Sequence, residues 1–111
     1  MKMNPLPIFD IYGKQYNFTF YNIADPKTPA RAGLYIFVRP TNEGWQFVYI
    51  GQSHNLRNRI YWELENHHSW QCIQRARATH VIIYEFSGSE QQRIRIETGL
   101  RHRYTTFCNR Q

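Results

Sequence analysis

From Gly33 to Gly51 the chain alternates apolar and aromatic positions with the period of a β-strand. Leu34, Ile36 and Val38 share one face, and Tyr35 and Phe37 the other. On the return, Val48 and Ile50 form one set and Trp45, Phe47 and Tyr49 the second. A turn about Thr41-Asn42-Glu43 would set Tyr35 opposite Tyr49 and Gly33 opposite Gly51. The pattern predicts a hairpin with an aliphatic face for a core. Its aromatic face would end in two hydroxyls, with open backbone beside them.

The same reading extends outward. Residues 1–7 read as a loose arm. Ile8 to Tyr21 predicts a second hairpin around a Gly-Lys turn, with Tyr16, Phe18 and Phe20 alternating. Asn22 to Arg31 is a connecting loop, marked by Asp25-Pro26 and Thr28-Pro29. After Gly51, a helix is expected with Ser53 or Asn55 as its cap and Leu56, Ile60 and Leu64 as a narrow apolar stripe. His67-His68-Ser69 would end or bend it. Trp70 to Ala78 predicts a second helical piece, and the β-branched run Thr79–Phe86 a buried strand. Ser89 with Gln92 forms a capping box that opens a helix to about Tyr104.

Composition narrows the partners. The 111 residues fit one domain and carry a formal charge of +6 with a pI near 9.6. That points to a polyanion, most simply nucleic acid, although a basic protein need not have such a partner. Cys72 and Cys108 lack metal-ligand spacing and read as ordinary thiols in a reducing compartment. No apolar run is long enough to span a membrane and no signal peptide is evident, so a cytoplasmic protein is expected.

Several side chains could carry chemistry. Glu97 lies among Ile94, Leu100 and Tyr104, in the middle of what reads as the inward stripe of its helix. Two readings stand: an ion pair with Arg93 or Arg101, or a metal ligand or acid–base group facing a cleft. Arg57 and Arg59 are phosphate contacts or solvated charges. The histidines are scattered, and the two close ligand pairs of a structural zinc site are missing. One of them near a reaction centre would suit a proton shuttle or phosphate contact.

Taken together these residues resemble the GIY-YIG nuclease family. The first signature stands here as Gly33-Leu34-Tyr35 and the second as Tyr49-Ile50-Gly51. Arg59 lies eight residues past the second glycine, Glu97 sits in the long helix and Asn109 follows it. Several relatives place a His or Lys one turn after the Arg; here that position is Glu63, with His67 and His68 further along. The resemblance covers about residues 32–110 and is similar in detail to small stand-alone members.

It implies an α/β domain of the α+β type: a small central three-stranded antiparallel sheet flanked by helices. Residues 1–31 would be an arm and an extra N-terminal β-hairpin extending the sheet, and 32–111 the nuclease core, one domain overall. It also implies a metal-dependent endonuclease that hydrolyses DNA with one Mg²⁺ or Mn²⁺ ion on Glu97. Arg59 would clamp the phosphate. Tyr35 and Tyr49 would orient water, Tyr35 being the first choice for general base, with its pKa lowered by nearby Arg and metal charge. Asn109 would hold the geometry, His67 or His68 would assist, and Gly33 and Gly51 would let a DNA strand approach. The alternative is an inactive basic DNA-binding or protein-interaction module on the same fold. Monomer and dimer are both open.

Overall fold

The computed structural model describes residues 4–109. Five strands form one antiparallel sheet: β1 (Leu6–Phe9), β2 (Gln15–Asn22), β3 (Gly33–Thr41), β4 (Gly44–Ser53) and β5 (His80–Glu85), in the order β1-β2-β5-β3-β4. Leu6 and Pro7, assigned to the arm from sequence, belong to β1; residues 1–3 lie outside the described range. The first half of β2 pairs with β1 and its second half with β5, so the sheet curls along that strand.

This corrects the expected three-stranded sheet flanked by helices. The molecule is mostly a curled five-stranded antiparallel sheet with few helices. The reason lies in β5. Val81, Ile82 and Ile83 are all buried, so both faces of the strand are covered. Both of its edges are paired as well: β3 takes one, and Thr19–Asn22 of β2 takes the other.

The expected helix after Gly51 is also replaced. Asn55 does cap the segment, accepting from the Asn58 backbone N–H at 3.1 Å. The chain then forms a π turn over Asn58–Trp62, with Glu63 N–H bonded to the Asn58 carbonyl at 2.8 Å, and a 3₁₀ turn over Leu64–Asn66. Leu56, Ile60 and Leu64 are buried all the same. Packing of that stripe decides the local form, because short polar residues such as Asn58 and Asn66 add little helix propensity. Two α-helices follow, α1 (Trp70–Arg75) and α2 (Glu90–Arg103). The Ser89–Gln92 capping box opens α2. α1 stops short of Ala78, with Arg77 in the left-handed region at φ 59°.

Each face of the sheet has its own core. On one side Tyr35, Phe37, Val48 and Tyr49 pack with Leu56, Ile60, Leu64, Ile73 and Cys108. On the other, Leu34, Ile36, Val38, Ile50 and Ile82 pack under Ile96 and Leu100 of α2. The central hairpin has a different register from the one expected. Tyr35 lies opposite Gly51 and Gly33 opposite Ser53, and a bulge follows Phe37↔Tyr49 so that Val38 faces Phe47. Val48 is the extra residue. It therefore joins the tyrosine side, while Phe47 and Trp45 cross to the aliphatic side.

Cys72 and Cys108 are joined as a disulfide, with Cα atoms 5.7 Å apart, in place of the two free thiols expected. Spacing in sequence could not reveal this, because α1 and the final turn Phe107–Asn109 meet only through the fold. Among the described residues no helix is long and apolar enough to cross a membrane.

Candidate functional site

The tyrosine face is organised by hydrogen bonds between the strands and the turn that follows the π segment. The rings of Tyr35 and Tyr49 stack with centroids 5.9 Å apart. The Tyr35 hydroxyl lies 2.7 Å from Nε2 of His67, and the Tyr49 hydroxyl 3.2 Å from Nε2 of His68. His67 and His68 stack on each other at 4.7 Å. As neighbours at the end of a 3₁₀ turn, the two imidazoles reach two different phenols.

The protonation order follows from one backbone donor. Ser69 N–H donates to Nδ1 of His67 at 3.0 Å, so that nitrogen carries no proton. Burial, then the neighbouring His68 and Arg59, lower the His67 pKa to about 4. Near neutral pH the single ring proton therefore sits on Nε2 and is donated to the Tyr35 oxygen. The neighbouring Tyr49 adds to the upward shift of Tyr35.

Burial is the largest influence on both phenols and pushes both upward, Tyr35 well above its ordinary value. The expected lowering by Arg59 is present but smaller. Tyr35 is fully buried, whereas Tyr49 retains 7% of its surface. Tyr49 is thus the phenol closer to solvent.

Glu97 and Arg59 complete the charge pattern. Glu97 raises both tyrosines and Arg59 lowers both, so all four groups lie within electrostatic reach. Glu97 arrives from α2, which packs mainly on β4, the strand at the end of the sheet. It is not at the centre of the inward stripe: the buried positions of α2 are Arg93, Ile96, Gly99 and Leu100, and Ile94 is exposed. Glu97 stands on the flank. It forms no ion pair among the described residues, which sets aside the reading of a bridge to Arg93 or Arg101. Burial raises its pKa, with Arg101 opposing. Arg93, overlooked as a structural residue, is buried and donates to Gln52 Oε1 and to the Gly88 carbonyl, each at 3.0 Å, tethering α2 to β4.

The two arginines separate. Arg57 Nε donates to the Thr28 carbonyl at 2.7 Å and has a structural occupation. Arg59 makes no side-chain hydrogen bond or ion pair among the described residues. Asn109 acts on the backbone: its Oδ1 accepts from Ile50 N–H at 2.7 Å and its Nδ2 donates to the Ile50 carbonyl at 2.8 Å. That amide mimics a strand partner on the open edge of β4, between Tyr49 and Gly51. Thr106 Oγ1 donates to Asn109 Oδ1, and Arg101 Nη2 donates to the Asn109 carbonyl at 3.0 Å.

The glycines serve the protein's own packing. A Cβ at Gly51 would lie 2.5 Å from Cζ and 2.6 Å from the hydroxyl of Tyr35. One at Gly33 would strike the Tyr84 carbonyl. Both positions are buried, which corrects the picture of open backbone awaiting a strand.

No group of three or more His, Cys, Asp or Glu is gathered for a metal among the described residues. The donor chemistry is a single half-buried carboxylate without an ion pair, whose charged form is disfavoured by burial. That suits a hard cation which keeps most of its waters, and does not suit zinc. No family model matches the chain, and neither does any curated protein or solved structure.

Proposed function

We propose that the protein is a metal-dependent endonuclease hydrolysing phosphodiester bonds in DNA at the tyrosine face, as the resemblance to the GIY-YIG family implies. The observation that supports it is convergence. Tyr35, Tyr49, Arg59 and Glu97 come from β3, β4, the π turn and α2, and each phenol feels both charges.

In this reading Tyr49 orients the attacking water and takes its proton as its own hydroxyl proton passes to Nε2 of His68, 3.2 Å away. Arg59, without a side-chain hydrogen bond or ion pair among the described residues, clamps the scissile phosphate. Glu97 would hold one Mg²⁺ or Mn²⁺. When bound, that ion supplies charge stabilisation to the phosphate and the leaving oxygen. Asn109 keeps Ile50, and so the neighbouring Tyr49, in place. The net charge of +6 suits DNA. The Cys72–Cys108 bond argues against the cytoplasmic placement expected from sequence, since such bonds persist in oxidising compartments.

One observation favours a second reading, an inactive basic module that binds DNA or a protein: burial raises both tyrosines, so neither phenol is ionised near neutral pH. A single assay separates the two. Purified protein is incubated with duplex, branched, nicked and single-stranded DNA in Mg²⁺, Mn²⁺ or EDTA. Cleavage that needs the divalent ion and is lost in folded Glu97→Ala supports the nuclease. Undiminished cleavage by Glu97→Ala refutes the mechanism, and binding in EDTA with no cleavage under any condition supports the module.

A further inference from the structure

The turn between β1 and β2 is a built feature. Asp10 is buried, and its Oδ1 accepts from the N–H groups of Tyr12 at 2.8 Å and Lys14 at 2.9 Å. Gly13 closes the turn at φ +82°, a conformation that favours glycine. The turn is then fastened to α2, where Ile11 N–H donates to the Gly99 carbonyl at 3.0 Å. A Cβ at Gly99 would meet Asp10 at contact distance, 3.4 Å from its Cβ and Oδ2.

What this fastening holds out is Tyr12, 86% exposed. Its ring lines a cleft of about 500 Å³ with Ile94, Arg95, Thr98 and His102 of α2. A second cleft of about 270 Å³ shares Tyr12 and Arg95 and adds Lys14. Among the described residues Asp10 is the single acid lining either cleft, and the turn's own N–H groups already engage its carboxylate. The surface is therefore an exposed aromatic side chain on a fastened turn, among cations and neutral hydrogen-bonding groups.

That chemistry fits a nucleic-acid strand. Arg95, Lys14 and His102 complement phosphates, and a ring with free faces stacks on a base. A base inside a duplex already has both faces covered by its neighbours, so stacking on Tyr12 requires an unpaired one. Ile94 and Thr98, which line the cleft, are three residues before and one after Glu97 on α2.

We propose that the cleft between Tyr12 and α2 binds an unpaired stretch of nucleic acid, with a base stacked on Tyr12 and the backbone held by Arg95 and Lys14. The proposal rests on the nucleic-acid part of the reading above and not on cleavage.

The test uses the whole protein in EDTA. Fluorescence anisotropy measures binding of a labelled single-stranded DNA, a blunt duplex of the same sequence and a duplex with a single-stranded tail. Wild type should prefer the single-stranded and tailed probes. Tyr12→Ala should lose about tenfold on those two and little on the blunt duplex, with Tyr12→Phe close to wild type. Arg95→Gln should weaken all three and flatten the salt dependence. Equal binding of every probe by Tyr12→Ala and wild type overturns the proposal. So does a concentration-dependent dimer, seen by sedimentation, that Tyr12→Ala abolishes, since the cleft would then seat a second copy of the chain. Tyr12-dependent binding without cleavage in Mg²⁺ or Mn²⁺ leaves this proposal standing and removes the nuclease. Cleavage without Tyr12-dependent binding does the reverse.

Discussion

The Tyr35 hydroxyl accepts a hydrogen bond from Nε2 of His67 across 2.7 Å, and the direction of that bond distinguishes the two tyrosines. Because Ser69 occupies Nδ1, the imidazole has one proton to give and gives it to Tyr35. The Tyr49 hydroxyl has its own imidazole partner, Nε2 of His68 at 3.2 Å. The phenols are unequal: Tyr35 is fully buried and held by His67, and Tyr49 is the one nearer solvent that a water could meet.

Phenylalanine replacements should therefore separate. Tyr49→Phe should lower divalent-dependent cleavage by about 10²- to 10⁴-fold with little change in stability. Tyr35→Phe strands a buried imidazole N–H and should cost about 1–3 kcal/mol of folding stability, with the smaller loss of activity. Cleavage assays and urea denaturation on both variants check this. A larger activity loss in Tyr35→Phe would reverse the assignment.

His67 should make folding sensitive to mild acid. Its folded pKa of about 4 lies below the ordinary 6.5, so between those values the unfolded chain binds a proton that the native one does not. Stability from this group is then complete above pH 6.5, falls as pH drops through the window and is gone below about 4. The full effect is about 1–3 kcal/mol, reduced by residual solvation. Glu97, with its raised pKa, contributes in the opposite sense. The quantity to measure is therefore the difference between wild type and His67→Gln across this window, where the wild-type curve should fall more steeply.

Glu97→Gln should abolish divalent-dependent cleavage while leaving stability at pH 7 unchanged or slightly higher. The carboxylate is partly desolvated and forms no ion pair among the described residues, so removing its charge relieves a cost. Calorimetry of wild type and variant decides the stability half. A strongly destabilised variant would reveal a structural role.

Reducing the Cys72–Cys108 bond, or replacing both cysteines by serine, should cost about 3–4 kcal/mol for a separation of 36 residues. Asn109→Ala should cost about 1–3 kcal/mol, because Ile50 loses both of its partners on the β4 edge. Denaturation with and without reductant measures the first, and hydrogen exchange at the Ile50 amide reports the second.

Gly51→Ala should destabilise by about 1–3 kcal/mol, since its Cβ would press on the Tyr35 ring. The Tyr35–His67 bond should be disturbed with it, visible as a changed His67 ¹⁵N spectrum. An unperturbed spectrum would mean the ring has room to yield.

Local pattern made much of the chain legible. The two hairpins, the β5 run and the Ser89 capping box depend on residues within a few positions of one another, and sequence alone specified them. It also singled out Tyr35, Tyr49, Arg59 and Glu97 before their proximity was visible. It misjudged Glu97's place on α2, because Ile94 reads as apolar but faces solvent, while Arg93 reads as polar but is buried. Tyr12 gave no signal, since its meaning comes from a turn fastened to Gly99, 87 residues later.

What only the tertiary structure decided are the relationships across distance: the pairing of β2 with β5, the Cys72–Cys108 bond, the clip of Asn109 on Ile50 and the register of Tyr35 on Gly51. The physical reason is the period of two in a strand. One bulged residue, Val48, exchanges the faces of everything beyond it, and nothing local in the alternation announces which residue that will be.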